Sequence, residues 1–151
     1  MGRENIINQA SIEIYKDEGF KNFVYDDTEK IPTEGIGFKV SALSDLERQI
    51  LEKGITLENS LKVLGMKLDR VYNELSNGIN FFTVLPDNCQ IALLDLAYQV
   101  GSEGVMAYHK CLSALEQKDY LEAGLEIIHS KEAVQTPNRA KHIQKLILGE
   151  I

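Results

Sequence analysis

The chain has 151 residues, 44% hydrophobic and 26% charged, with a net charge of −7. That length suits one domain or two small lobes sharing a core, and no apolar run approaches the roughly 18 residues of a membrane span. The acidity argues against a nucleic-acid partner, because an acidic surface does not replace the counterions condensed on phosphate. No basic stripe with interleaved aromatics offsets it. The imbalance is greatest early: residues 1–60 carry 7 basic and 12 acidic side chains, a net of −5.

Met1-Gly2-Arg3-Glu4-Asn5 has no basic region followed by an apolar core, so no signal peptide is expected. Ile6, Ile7, Ala10 and Ile14 recur at helical spacing and predict an amphipathic helix over about Glu4 to Asp17, stopped by Gly19. Phe23-Val24-Tyr25 is β-prone, Asp26 to Lys30 is a polar turn, and Ile31 to Val40 reads as one or two short strands. Together they make a small antiparallel sheet. Ser44-Asp45-Leu46-Glu47 is a capping box that opens a helix ending near Gly54. Thr56 can cap the next one. Leu57, Leu61, Leu64, Leu68, Val71 and Leu75 mark one face of it as far as Asn77-Gly78. From Asp87 the chain reads as all helical: an apolar helix to Val100 stopped by Gly101, one capped by Asp119, and one opened by Thr136-Pro137 that runs to about Leu148.

Two carboxylates stand out from this pattern. Glu18 closes the first helix, at the end where carbonyls point outward and a negative charge is disfavoured. Such a place suits a general acid, which must hold its proton near neutral pH. Asp27 follows nine residues later in the hairpin, and Thr33 six after that, two residues before Gly35-Ile36-Gly37. Two carboxylates on different elements, facing each other across a gap, are what glycoside hydrolysis needs. The remaining polar groups suggest less. Cys89 and Cys111 read as free thiols, and His109, His129 and His142 are scattered, so neither metal nor cofactor is expected.

The same residues carry a resemblance. Asp17-Glu18-Gly19, Tyr25 to Asp27, Thr33 and Gly35-Ile36-Gly37 are similar, in order, to the phage-type lysozymes of glycoside hydrolase family 24, the T-even phage group above all. Ile55-Thr56, Gln99 to Val105 and Gln135-Thr136-Pro137-Asn138-Arg139-Ala140-Lys141 continue it to about residue 145. The resemblance implies an α+β fold, mostly α-helical and two-lobed. The N-terminal lobe, about 12–58, would hold the sheet, a connecting helix would span about 56–77, and a helical lobe would span 79–151 with residues 1–11 packed on it. It implies a monomeric muramidase that cleaves the β-1,4 bond between N-acetylmuramic acid and N-acetylglucosamine in peptidoglycan with inversion, for bacterial lysis. Such an enzyme is made in the bacterial host cytoplasm and acts on the wall after release. Glu18 takes the general acid's place, and Asp27 and Thr33 the places that hold or activate water. Lys39, Tyr98, Gln99, Cys111 and Glu126 take groove positions, and Arg139 the place of an arginine paired with the catalytic glutamate.

The chain also departs from the family. Phe38 stands for a usual histidine and Lys67 for its carboxylate partner, so a structural ion pair is expected to be lost from the fold. Lys30 replaces a turn glycine, Glu132 an aromatic residue, and Glu34 an apolar residue beside Thr33. A third acid there can perturb the protonation or desolvation of the site. The rival reading is a catalytically weakened module that binds wall or protein. The complete Glu18, Asp27 and Thr33 set argues against it, since a degenerate module loses such residues early.

Overall fold

The 3.6-residue recurrence of Ile6, Ala10 and Ile14 produces helix α1, Arg3–Glu18, with Ala10 and Ile14 fully buried. The structure, a computed structural model, describes residues 2–151; Met1 lies outside them. Gly19 ends α1 with φ +72°, and its amide donates to the Tyr15 carbonyl at 2.8 Å. This left-handed turn is the stop that glycine provides without a Cβ clash. Glu18 is therefore the last helical residue.

Three short strands follow: β1, Lys21–Asp26, β2, Pro32–Gly35, and β3, Phe38–Lys39. They form an antiparallel sheet in the order β1-β2-β3. Tyr25 pairs with Thr33, and Thr33 with Lys39, while Glu34 pairs with Phe38. The register shifts between Lys21 and Tyr25. Helix α2, Asp45–Glu52, opens with the full capping box: the Ser44 hydroxyl accepts from the Glu47 amide, and Glu47 accepts from the Ser44 amide at 2.9 Å. Helix α3, Leu57–Gly78, starts with the Thr56 hydroxyl accepting the Asn59 amide at 3.0 Å.

The described residues divide into two compact units. One comprises residues 11–69, with Ile14, Ile36, Phe38, Leu51, Leu64 and Leu68 in its core. The other comprises residues 70–151 and the N-terminal residues up to Ala10. Its centre is α4, Asp87–Met106, in which every residue from Cys89 to Ala97 is buried. Gly101, with φ +81° and ψ 162°, breaks the helical backbone as expected, and a second helical segment runs on from it to Met106. Helices α5, His109–Glu116, and α6, Tyr120–Ile128, pack together. Helix α8, Pro137–Leu148, packs against α4, α6 and the short α7, Lys131–Gln135. Asp119 caps α6 as expected, its carboxylate accepting the Glu122 amide at 3.2 Å. Thr136 precedes Pro137 but does not cap α8 with its side chain. Its hydroxyl instead donates to the Glu132 carbonyl at 2.9 Å and accepts from the Gln99 amide group at 2.7 Å. Mostly helical with one small antiparallel sheet, the fold is α+β.

The ion pair expected to be replaced at Phe38 and Lys67 is indeed absent from these two positions, and other contacts stand in its place. Phe38 is 1% exposed, and the Lys67 ammonium lies 5.6 Å from the centre of its ring. Lys67 also forms an ion pair with the buried Glu47 carboxylate at 3.7 Å. A cation–π contact and a new carboxylate partner thus replace a histidine–carboxylate pair.

Candidate active site

Glu18, Asp27 and Thr33 all lie within residues 11–69. The end of α1 places Glu18 against the turn between β2 and β3. A Cβ built on Gly37 would stand 2.8 Å from Glu18 Oε2, and Gly37 has φ +69°. Only glycine supplies both the conformation and the empty space that this carboxylate fills. The Gly-Ile-Gly spacing is thereby tied to Glu18 by geometry.

Asp27 follows the last residue of β1 and organises the turn beyond it. Its Oδ1 accepts the amides of Glu29 at 2.8 Å and Ile31 at 2.9 Å. The Asp27 amide donates to the Ile31 carbonyl at 3.0 Å, and Lys30 donates back to the Asp27 carbonyl at 2.9 Å. One carboxylate oxygen is thus fixed by backbone, and the other is held in a set direction. Lys30 closes the turn with φ +61°, a conformation suited to the glycine it replaces. Thr33 is 3% exposed and its hydroxyl donates to the Ile31 carbonyl at 2.8 Å, which orients its lone pairs.

Tyr25 joins these groups. It pairs with Thr33 across β1 and β2, so the two side chains share a sheet face. Burial pushes the Tyr25 phenol above its ordinary range, and the negative charges of Glu18 and Asp27 push it further. One hydroxyl therefore lies in the field of both carboxylates. Tyr25 belonged to the sequence motif, but strand spacing alone gave it no role. Asp26, which pairs with Pro32, turns to the opposite face and is exposed.

Glu34 does not join the trio. Adjacent strand residues face opposite sides, so Glu34 points with Phe38 into the core of the unit, where it is 8% exposed. Burial raises its carboxyl above the ordinary range, and the Arg48 guanidinium partly lowers it again. Lys39 is exposed and lies opposite Thr33 on β3, on the Thr33 face.

The other expected groove positions belong to the second unit. Cys111 and Glu126 line an open depression of about 670 Å³ with Tyr108, His129, Lys131 and Glu132. Cys111 itself is 1% exposed, and burial pushes its thiol up to about 12, so it serves as wall and not as a reactive group. Glu126 hydrogen-bonds Glu122, which raises the Glu122 carboxyl; slight desolvation and nearby acids add to this and His129 opposes it. Tyr98 and Gln99 do not line that depression, and Gln99 is occupied with Thr136. Arg139 has a partner that spacing did not reveal. Its Nη2 and Nε donate to Asp95 Oδ1 at 2.8 and 3.1 Å, and Asp95 is fully buried in α4. A single acid inside the run Ile91 to Ala97 was the sequence signal for such a pair.

The family model described as phage lysozyme matches residues 15–139. A curated relative, "Probable T4-type lysozyme 2" of Dictyostelium discoideum, is 28% identical over 146 residues, covering 84% of this chain and 86% of its own. A second, "Probable T4-type lysozyme 1" of the same organism, is 26% identical over 150 residues, covering 87% and 88%.

Proposed function

Because the chain belongs to the phage lysozyme family, we propose that it is a muramidase that cleaves the β-1,4 bond between N-acetylmuramic acid and N-acetylglucosamine in peptidoglycan. Glu18 is the general acid that protonates the glycosidic oxygen as the bond breaks. Asp27, with Oδ1 held by two amides, uses Oδ2 to accept a proton from water. Thr33 orients that water through the lone pairs its hydrogen bond to Ile31 leaves directed. The water attacks the face of the sugar opposite the leaving oxygen, so the configuration inverts. Glu18 then recovers a proton from solvent and Asp27 releases the one it took, which restores the starting state. Lys39, exposed on the Thr33 face, contacts the glycan beside them.

The observation that carries this reading is the convergence on one small unit. Glu18 fills the space that Gly37 leaves, and Tyr25 lies in the field of Glu18 and Asp27 while sharing a sheet face with Thr33. The weakened-module alternative rested on Glu34, Phe38 and Glu132. Two of these have structural roles away from the trio, since Glu34 faces the core and Phe38 holds Lys67. The protein acts as a monomer on the bacterial wall, in lysis of the cell.

The test is clearing of a purified peptidoglycan suspension by wild type and by Glu18→Gln. Acid–base assistance is worth about 10²–10⁴-fold. Wild type should clear the suspension, and Glu18→Gln, with unchanged circular dichroism, should lose at least about 10²-fold in rate. Clearing by the variant at the wild-type rate would remove Glu18 from the role.

A further inference from the structure

The sheet face that bears Thr33 extends beyond the catalytic trio. Tyr25, Thr33 and Lys39 form one cross-strand row. Lys21 and Phe23 have the parity of Tyr25 along β1, and their contacts place them beside it. The Lys21 ammonium is 4.3 Å from the centre of the Tyr25 ring. The Phe23 and Tyr25 rings meet edge to face, with centres 6.2 Å apart. The register shift between Lys21 and Tyr25 is the kind of irregularity that re-aims a strand side chain. Phe23 is 55% exposed all the same. It is a large ring held in water at the edge of a polar site, braced by one neighbour and covered by none.

We propose that Phe23 and Tyr25 form a stacking platform for a sugar ring of the glycan strand, adjacent to the ring at which Glu18, Asp27 and Thr33 act. The inference rests on the glycosidase reading of that trio. The apolar C–H face of a pyranose matches the exposed face of an aromatic ring, and Lys21 can donate to its hydroxyl or acetamido oxygens. A membrane surface is the poorer match. Asp17, Glu18, Asp26, Asp27 and Glu29 outnumber Lys16, Lys21 and Lys30 in this stretch, and an anionic leaflet repels such a surface.

The chain contains no tryptophan, so Phe23→Trp puts a single indole on the platform. Made together with Glu18→Gln, it is titrated with purified, uncross-linked strands of alternating N-acetylglucosamine and N-acetylmuramic acid. Its emission should change saturably. Val84→Trp in the same background, at a position 81% exposed, should show no change. By calorimetry, Phe23→Ser should weaken strand binding about tenfold, the value of covering roughly half of the exposed ring. A silent indole, or an unchanged affinity for Phe23→Ser, overturns the platform. So does an emission shift produced by phosphatidylglycerol vesicles and not by glycan. Binding is read with the acid removed, so a wild type that bound strands without cutting them would count against the catalytic reading and leave the platform standing.

Discussion

Replacing Glu34 by leucine should stabilise the protein by about 1–3 kcal/mol. Glu34 is 8% exposed and pairs with Phe38, itself 1% exposed, so its carboxyl is held partly out of water at the border of the 11–69 core. Arg48 compensates only in part, since burial is the larger influence on Glu34 and raises its carboxyl. The Arg48 guanidinium also keeps other acceptors, the carbonyls of Leu43 at 3.3 Å and Val40 at 3.4 Å. A leucine of similar volume removes the desolvated charge and gains about 1.5–3 kcal/mol of apolar burial, and we discount this for the attraction that Arg48 loses. For a chain of this size each kcal/mol moves the melting temperature by roughly 2–4 °C. Thermal melting at pH 7, followed by circular dichroism, should therefore rise by roughly 2–12 °C. The pH dependence has a definite sign. A carboxyl raised in the folded state keeps its proton after the unfolded chain has lost its own, so stability falls as pH rises from the unfolded value of 4.5 through the folded one. The advantage of Glu34→Gln over wild type should shrink as pH is lowered from 7 to 4.5. A leucine variant that melts lower than wild type, or a pH-independent difference for the glutamine variant, would refute the placement of Glu34 in the core.

Three further outcomes follow from the same contacts. Lys67→Met removes an ion pair with the buried Glu47 carboxylate and the contact with the Phe38 ring; denaturant unfolding should show a loss of about 2–3 kcal/mol, largely restored by adding Glu47→Gln. Lys30→Gly relieves a left-handed φ of +61° and should gain about 0.5–1 kcal/mol in the same assay. Asp27→Asn should abolish peptidoglycan clearing and Asp26→Asn should not, because only Asp27 is fixed by the turn amides while Asp26 turns away; the reverse ranking would shift the site by one residue.

Local signals were the legible ones. Helix α1 and its glycine stop, the capping box of α2, the Thr56 and Asp119 caps and the proline that opens α8 each involve residues within four positions of one another, which a linear reading resolves. Helices α5 and α7 were not separable. Each is short, eight and five residues, and packs against α6 and α8 respectively, so the linear reading ran each into its neighbours. Gly101 read as a stop, and the backbone does leave helical geometry there; the second helical segment as far as Met106 carried no signal of its own. At the site, the Glu18, Asp27 and Thr33 spacing was visible, whereas the roles of their neighbours were not. Lys67 meets Phe38 and Glu47, and Arg139 meets Asp95, across 20 residues or more. No periodicity encodes such pairs. The orientation of Glu34 was available from strand alternation once the register of β2 was known.

The central claim is that Glu18, Asp27 and Thr33 cut a muramidic bond with inversion. The most direct measurement is the first product released from linear glycan strands, with its reducing end identified by mass spectrometry and its anomer read by NMR before mutarotation. The account predicts N-acetylmuramic acid at the new reducing end, in the α configuration, formed by wild type and not by Glu18→Gln. A β anomer appearing first, N-acetylglucosamine at the new end, or equal release by the variant would contradict it.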